Sequence, residues 1–315
     1  MPSLSFLLLI SPLATIASSP LTTVQDYVLA NYKDVLKPPS NNLQYPYLVP
    51  AGPYKQCWDW DSVRATQAMS NARHISSTFL THTKPISSSQ VFMGLALLPL
   101  NSSSYLAGSM KNFFAATNLT SGDVTICVDP NSPTPSCSSD PTDNPASGSH
   151  AKPLLIQGAL LAARSSNDYD QFKPFQLQMS LLLSYWTTQR QTATGLYTWH
   201  DQMESGADDL PTSPCPSPRS ECWSEASDGN SLAAPDLMTF LIREHRAYAS
   251  FLDAWNDTSG AAAEHRATAL EIADALTSQL FIDNTFLSYN ATENTVIDNA
   301  VYVRERREWR QESEH

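Results

Sequence analysis

Between Trp199 and Pro211 the chain sets an indole, the imidazole of His200 and the acidic groups Asp201, Glu204, Asp208 and Asp209 around a Ser205-Gly206 break. A second aromatic and acidic cluster, Cys57-Trp58-Asp59-Trp60-Asp61-Ser62, lies far upstream. Indole faces beside carboxylates suit sugars: the C–H face of a pyranose stacks on the ring while its hydroxyls bond to carboxylate oxygens. Cleaving a glycoside needs two carboxyl groups across the scissile bond, one donating a proton to the leaving oxygen. That donor needs a raised pKa, which a neighbouring carboxylate or burial supplies. Asp208 and Asp209 are adjacent, and Glu204 stands four residues back, so mutual repulsion is available. Gly206 and Pro211 place the acids on a loop, where catalytic groups are often found. The plainer reading is a turn in which an aspartate caps a helix, with Trp58 and Trp60 as core aromatics.

The elements that must carry these groups read as helix after helix. Asp26 to Leu36 is a short amphipathic segment, and Ser62 to Phe79 is a helical candidate just after the tryptophan cluster. Pro153 opens a helix over Leu154 to Arg164, with proline at the tolerated first position. Pro174 opens a longer one through Arg190. From Asp236 to Trp255, Leu237, Phe240, Leu241, Tyr248, Phe251, Leu252 and Trp255 recur at helical spacing. Gly260 to Leu280 follows with Ala263, Leu270, Ala273, Leu276 and Leu280. No convincing run of alternating strands is present, so the expected class is mostly α. Thr120 to Ser149 and Ala207 to Asn230 read as long Pro/Ser/Asp-rich loops, and such loops in a helical domain often line a site.

The chain has 315 residues and is 42% hydrophobic, enough to bury a sizeable core. Its net charge of −12 argues against nucleic acid or an anionic membrane as partner. Ser5 to Ile16 form an apolar run followed by Ala17, Ser18 and Ser19, the pattern of a signal peptide over residues 1–19. No later segment reads as a membrane span. Export to the outside or the endomembrane lumen is therefore expected. Four tripeptides fit N-glycosylation, at Asn101, Asn118, Asn256 and Asn290. Of five cysteines, Cys127 and Cys137 flank one loop and Cys215 and Cys222 another, which suggests two local disulfides. Cys57 is left over and reads as a buried thiol. No cysteine and histidine spacing suggests a zinc site.

The segment Glu204-Ser-Gly-Ala-Asp-Asp-Leu-Pro211 resembles the Glu-Ser-Gly-Met-Asp-Asn-Ser-Pro motif of mannosylglycerate hydrolase-like enzymes. These belong to glycoside hydrolase family 63, among the six-hairpin glycosidases, and trehalases share a related Glu-Ser-Gly-Trp-Asp. Trp58-Asp-Trp-Asp-Ser62 resembles the same enzymes' Trp-Asp-Trp-Asp-Ser. His150-Ala-Lys-Pro-Leu154 looks like their Gln-Pro-Pro element, and Pro235-Asp-Leu237 like their Val-Asp-Leu-Asn helix. The four matches arrive in family order across roughly residues 45 to 300. Lys152 departs from the pattern where the family has an uncharged residue, and Ala207 stands where it has Met or Trp.

The resemblance implies an (α/α)6 barrel over residues 20–303 and an inverting attack on a small α-glycoside such as mannosylglycerate, glucosylglycerate or trehalose. Asp208 matches the general acid, and Trp58, Trp60 and Asp61 match residues that hold the sugar. Trp199 and Glu204 would line the same pocket, with His200 a wall or loop residue. The chemistry implies a small carbohydrate partner and no metal or organic cofactor. An inverting enzyme also needs a second carboxylate to activate water, roughly 6.5–9.5 Å from the acid. In the family that glutamate lies in the last part of the barrel, and no counterpart of its motif follows Asn299 here. About seven or eight helices are readable where a full barrel has twelve, so an incomplete barrel is expected. The charged run of residues 304–315 reads either as a solvated helical end or as sequence foreign to the domain. Two other classes stay open: a secreted carbohydrate-binding protein without turnover, and a secreted helical interaction protein.

Overall fold

The computed structural model describes residues 32–49, 55–59, 103–131, 150–199, 202–205, 232–291 and 294–297. Over these residues the chain is mostly helical. The helices are α1 (Ser103–Ala115), α2 (Leu155–Ser166), α3 (Gln176–Gln189), α4 (Pro235–Ala254) and α5 (Ala261–Leu280), with one further turn of helix at Gln202–Ser205. None is long and apolar enough to cross a membrane. The candidate helix Ser62 to Phe79, the signal segment, most of both long loops and the charged tail fall outside the described residues.

Helix α4 forms where the apolar spacing places it. Pro235 occupies the first turn, where its missing N–H costs nothing, and Asp236 complements the positive end of the helix dipole. Leu237, Leu241, Tyr248, Phe251 and Leu252 are all buried. So are Ile242, Glu244, His245 and Ala249, because α2 and α5 pack against different sides of this helix. In α5 the buried stripe is Ala262, Ala269, Ile272, Leu276 and Leu280, and Leu270 is exposed. Leu276 and Leu280 are buried as expected, but in the first half of the helix the expected face through Ala263 and Leu270 is shifted by about one residue. Runs of alanine define no phase, and the larger Ile272 sets it instead.

Helix α2 stops at Asn167, whose left-handed backbone (φ 51°) lets the Asp168 N–H reach the Ala163 carbonyl at 3.0 Å. Helix α3 starts later than Pro174 suggested. Pro174 lies in a 3-10 turn, Asp170–Phe175, and the α-helix begins at Gln176. Helix α1 was not expected from the sequence. Leu106 through Met110 are buried without a break, followed by Asn112, Phe113 and Phe114, so burial on most sides erases the amphipathic signal. At Gly108 an added Cβ would lie 1.9 Å from the Pro46 carbonyl oxygen, so only glycine lets the 45–48 segment lie on α1. That segment is then held by Ser109 Oγ, which accepts from Leu48 N at 3.0 Å. Asn112 completes the seam by bonding both the N–H and the carbonyl of Tyr45.

Short strands are present where none was expected. β1 (Leu36–Lys37) pairs antiparallel with β2 (Tyr47–Leu48), and β3 (Cys57–Trp58) with β4 (Cys127–Val128). β5 (Thr198–Trp199), β6 (Leu232–Ala233), β9 (Ser288–Asn290) and β10 (Thr295–Ile297) form a four-stranded antiparallel sheet in the order β10-β9-β6-β5. β7 (Phe281–Ile282) and β8 (Thr285–Phe286) make a tight hairpin across Asp283 and Asn284, both at positive φ. Strands of two or three residues are too short to show alternation, which is why the sequence hid them. Tyr32–Val35 is a 3-10 turn leading into β1, which replaces the end of the expected amphipathic segment.

The interior forms two clusters. One gathers α1, α2 and parts of α3 and α4 around Phe113, Phe114, Phe172 and Phe251. Each fully buried phenylalanine contributes about 1.5–3 kcal/mol. The other joins Trp186, Tyr197 and Trp199 to the start of α4 and to α5. The candidate site draws on both clusters, with Cys57, Ala151 and Leu154 in the first and Tyr185, Trp199 and Leu237 in the second.

Candidate functional site

Three consecutive amides organise the site. His150 N donates to Glu204 Oε1 at 3.1 Å, Ala151 N to the Val124 carbonyl at 2.6 Å, and Lys152 N to Asp59 Oδ2 at 2.7 Å. A short strap just before α2 is thus fixed by two carboxylates from segments 145 residues apart in sequence, Asp59 and Glu204. Both carboxylates are buried, at 2% and 0% exposure, and so is the Lys152 side chain at 2%.

Each acid has a cation. Lys152 Nζ lies 3.6 Å from Asp59 Oδ1, and Arg190 Nη2 donates to Glu204 Oε1 at 3.0 Å. Burial is the stronger influence on Asp59 and raises its carboxyl above the usual range, against the pull of Lys152. For Arg190, burial disfavours the guanidinium, but the charge and hydrogen bond of Glu204 outweigh it and the pKa is raised. Arg190 also sits 5.2 Å from the Tyr185 ring centroid, a cation–π contact.

The route by which Arg190 meets Glu204 is local. Helix α3 ends at Arg190, and the chain turns back through Gly195 (φ 82°), so that Thr198 N and Oγ1 both reach the Arg190 carbonyl. β5 then carries Trp199 past the helix end, and the turn of helix Gln202–Ser205 brings Glu204 under the guanidinium. Trp199 is 1% exposed. Its ring meets Trp186 edge-on at 5.8 Å and its Nε1 donates to Asp236 Oδ1 at 3.2 Å. Asp236 also accepts from Leu237 N at 2.7 Å; burial raises its carboxyl, and Lys152 is among the groups that lower it. His150 stacks on Tyr185 at 3.9 Å, with Nδ1 2.8 Å from Asp123 Oδ1.

The structure thus brings together parts of all four sequence segments: Trp58-Asp59, His150 to Leu154, Trp199 with Glu204-Ser205, and Pro235 to Leu237. Trp58 is half-buried on β3, opposite Cys127, while Cys57 and Asp59 on either side of it are buried. Trp60, Asp61, His200 and Asp208 lie outside the described residues, as do Cys137, Cys215, Cys222 and Asn101. Cys127 is disulfide-bonded, with its partner outside the described residues, and Cys57 is a buried thiol as expected. Asn118 and Asn256 are exposed at turns, and Asn290 is half-buried at the end of β9.

Sequence reasoning passed over Arg190, Asp123, Tyr185 and Glu244. Glu244, fully buried on α4, accepts from Ile156 N at 2.9 Å and Gln157 N at 3.0 Å and so caps α2 from a neighbouring helix. Burial pushes its carboxyl up to about 7. The only signal for it was an acid on the apolar side of an amphipathic repeat. Among the described residues no group of three or more His, Cys, Asp or Glu side chains is placed to hold a metal ion. No protein-family model matches this chain, and no curated protein does.

Proposed function

We propose that this chain carries the sugar-binding side of an inverting α-glycoside hydrolase site within an (α/α)6-type helical barrel. The substrate class is a small α-glycoside of the mannosylglycerate, glucosylglycerate or trehalose kind. Asp208 protonates the leaving oxygen, and Trp58, Trp60 and Asp61 hold the glycone. Trp199 and Glu204, both buried, form the wall behind them. Inversion also requires a second carboxylate to activate water from the opposite face, a role assigned to no residue of this chain. The exposed turns at Asn118 and Asn256 suit glycosylation of an exported protein.

One observation carries this reading. Four segments, two picked out for sugar chemistry and two by the family resemblance, scattered from Trp58 to Leu237, are linked by direct hydrogen bonds and ion pairs. Chance motif matches have no reason to converge. Buried ionic groups are costly to maintain and tend to cluster where a site must be held in shape.

A non-catalytic carbohydrate binder is the second reading, and Glu204 favours it. Arg190 and His150 N already occupy one of its oxygens, so this acid is engaged in structure rather than poised to activate water. The test is hydrolysis of trehalose and glucosylglycerate followed by proton NMR. The hydrolase reading expects the β-anomer of the released sugar first, and loss of turnover with retained binding in Asp208→Asn. Saccharide binding without turnover in the parent protein selects the binder.

A further inference from the structure

The Asp59–Lys152 pair does more than neutralise charge. Asp59 makes four connections at one corner: its N–H donates to the Ile126 carbonyl at 3.0 Å, Oδ2 accepts from Lys152 N, Oδ1 faces Lys152 Nζ, and its chain continues β3. Cys57, on the other side of Trp58, is paired with Val128 and fully buried. Trp58 is therefore a partly exposed indole gripped between two buried anchors. Lys152 also feels Asp236, which holds the Trp199 indole. Lys152 thus pairs directly with Asp59, beside Trp58, and acts only through its charge on the carboxylate that holds Trp199.

A buried ion pair is a poor way to add stability, since well-packed apolar groups of the same size often do better. Its use here is geometric: a short, directional link between β3 and the strap before α2. We infer that Lys152 and Asp59 form a positioning pair for the carbohydrate subsite, fixing the angle at which the Trp58 indole is offered to a pyranose face. Neither residue needs to touch the sugar. The inference rests on the carbohydrate reading above and adds to it the pair that sets the subsite's shape.

The test is a double variant, Asp59→Asn with Lys152→Met, which removes both charges of the pair together, so neither partner is left as an unpaired buried ion. The whole chain is titrated with trehalose and with glucosylglycerate by calorimetry, and near-UV circular dichroism and the thermal midpoint report the fold. The expected result is a folded protein whose affinity for whichever saccharide the parent binds is at least tenfold weaker. Parent-like affinity in the folded double variant overturns the inference while leaving the carbohydrate reading intact. A parent protein that binds neither saccharide removes that reading, and the inference with it. If the double variant does not fold, Asp59→Asn alone decides. Its amide oxygen still accepts from Lys152 N while the charge link is gone, and a loss of at least threefold is expected, with unchanged affinity overturning the inference.

Discussion

Glu204 and Glu244 are both fully buried glutamates whose oxygens accept backbone N–H groups, yet they sit in different kinds of structure. Glu204 belongs to a meeting of short segments, has Arg190 against it, and binds the strap before α2 from the loop side. Glu244 sits in helix-to-helix packing, capping α2 from α4 by accepting two backbone amides, and burial raises its carboxyl to about 7. Two acids thus secure the two ends of one stretch of chain, residues 150–157. The loop-side acid is ion-paired to Arg190, whereas burial raises the carboxyl of the helix-side acid. The comparison separates a centre built from charges, suited to holding a polar ligand site in shape, from a helical frame built on apolar burial.

The largest expected effect breaks the charged end. Arg190→Met leaves Glu204 buried without its cation and should cost about 3–5 kcal/mol in urea unfolding. A loss below about 1 kcal/mol would mean that the pair is poorly coupled. Next comes the helical end. Glu244→Ala orphans two amides at the start of α2 and should cost about 2–4 kcal/mol, with both losses read from the same unfolding curves.

The pH dependence sharpens the contrast. The folded pKa of Glu244 is raised from 4.5 to about 7, so its contribution to stability is full below 4.5 and lost as pH rises through 7. The neighbouring His245 is pushed down to about 3 by burial, with His265 also lowering it, and its Nδ1 lies 3.0 Å from that of His265. Its contribution is full above 6.5 and lost as pH falls toward 3. Between pH 4.5 and 6.5 these two slopes oppose each other. Relative to the parent, Glu244→Gln should make the slope of stability against pH more positive by about 1.4 kcal/mol per unit across that window, and His245→Gln more negative by a similar amount. A slope unchanged from the parent in both variants contradicts the assignment. Smallest is Trp199→Phe, which removes one hydrogen bond to Asp236 and should cost about 1 kcal/mol.

The frame was legible in the sequence where apolar spacing was regular and one-sided. Helix α4 differs from its expected start by one residue because Leu237, Leu241 and Leu252 mark a single face. Helix α1 was hidden because it is buried on most sides, and alanines misphased the first half of the α5 stripe, while Leu276 and Leu280 were read correctly. The candidate site was legible as composition but not as geometry. Trp58, Trp199 and Glu204 stood out by type and spacing. Nothing in one dimension showed that Lys152 would reach Asp59, or that the chain would fold back after α3 to set Glu204 against Arg190. Such pairings are set by how the chain turns at Gly195 and by the β3–β4 register, and neither leaves a periodic trace.

The central claim is that this charged centre shapes a carbohydrate site, and thermal unfolding in the presence of saccharide tests it most directly. A ligand that binds only the folded protein stabilises it by about 2.7 kcal/mol at one hundred times its dissociation constant. The account predicts that the midpoint rises and saturates with trehalose, glucosylglycerate or mannosylglycerate, and that the rise is absent with glycerol at equal concentration. A midpoint that none of the three saccharides moves contradicts it.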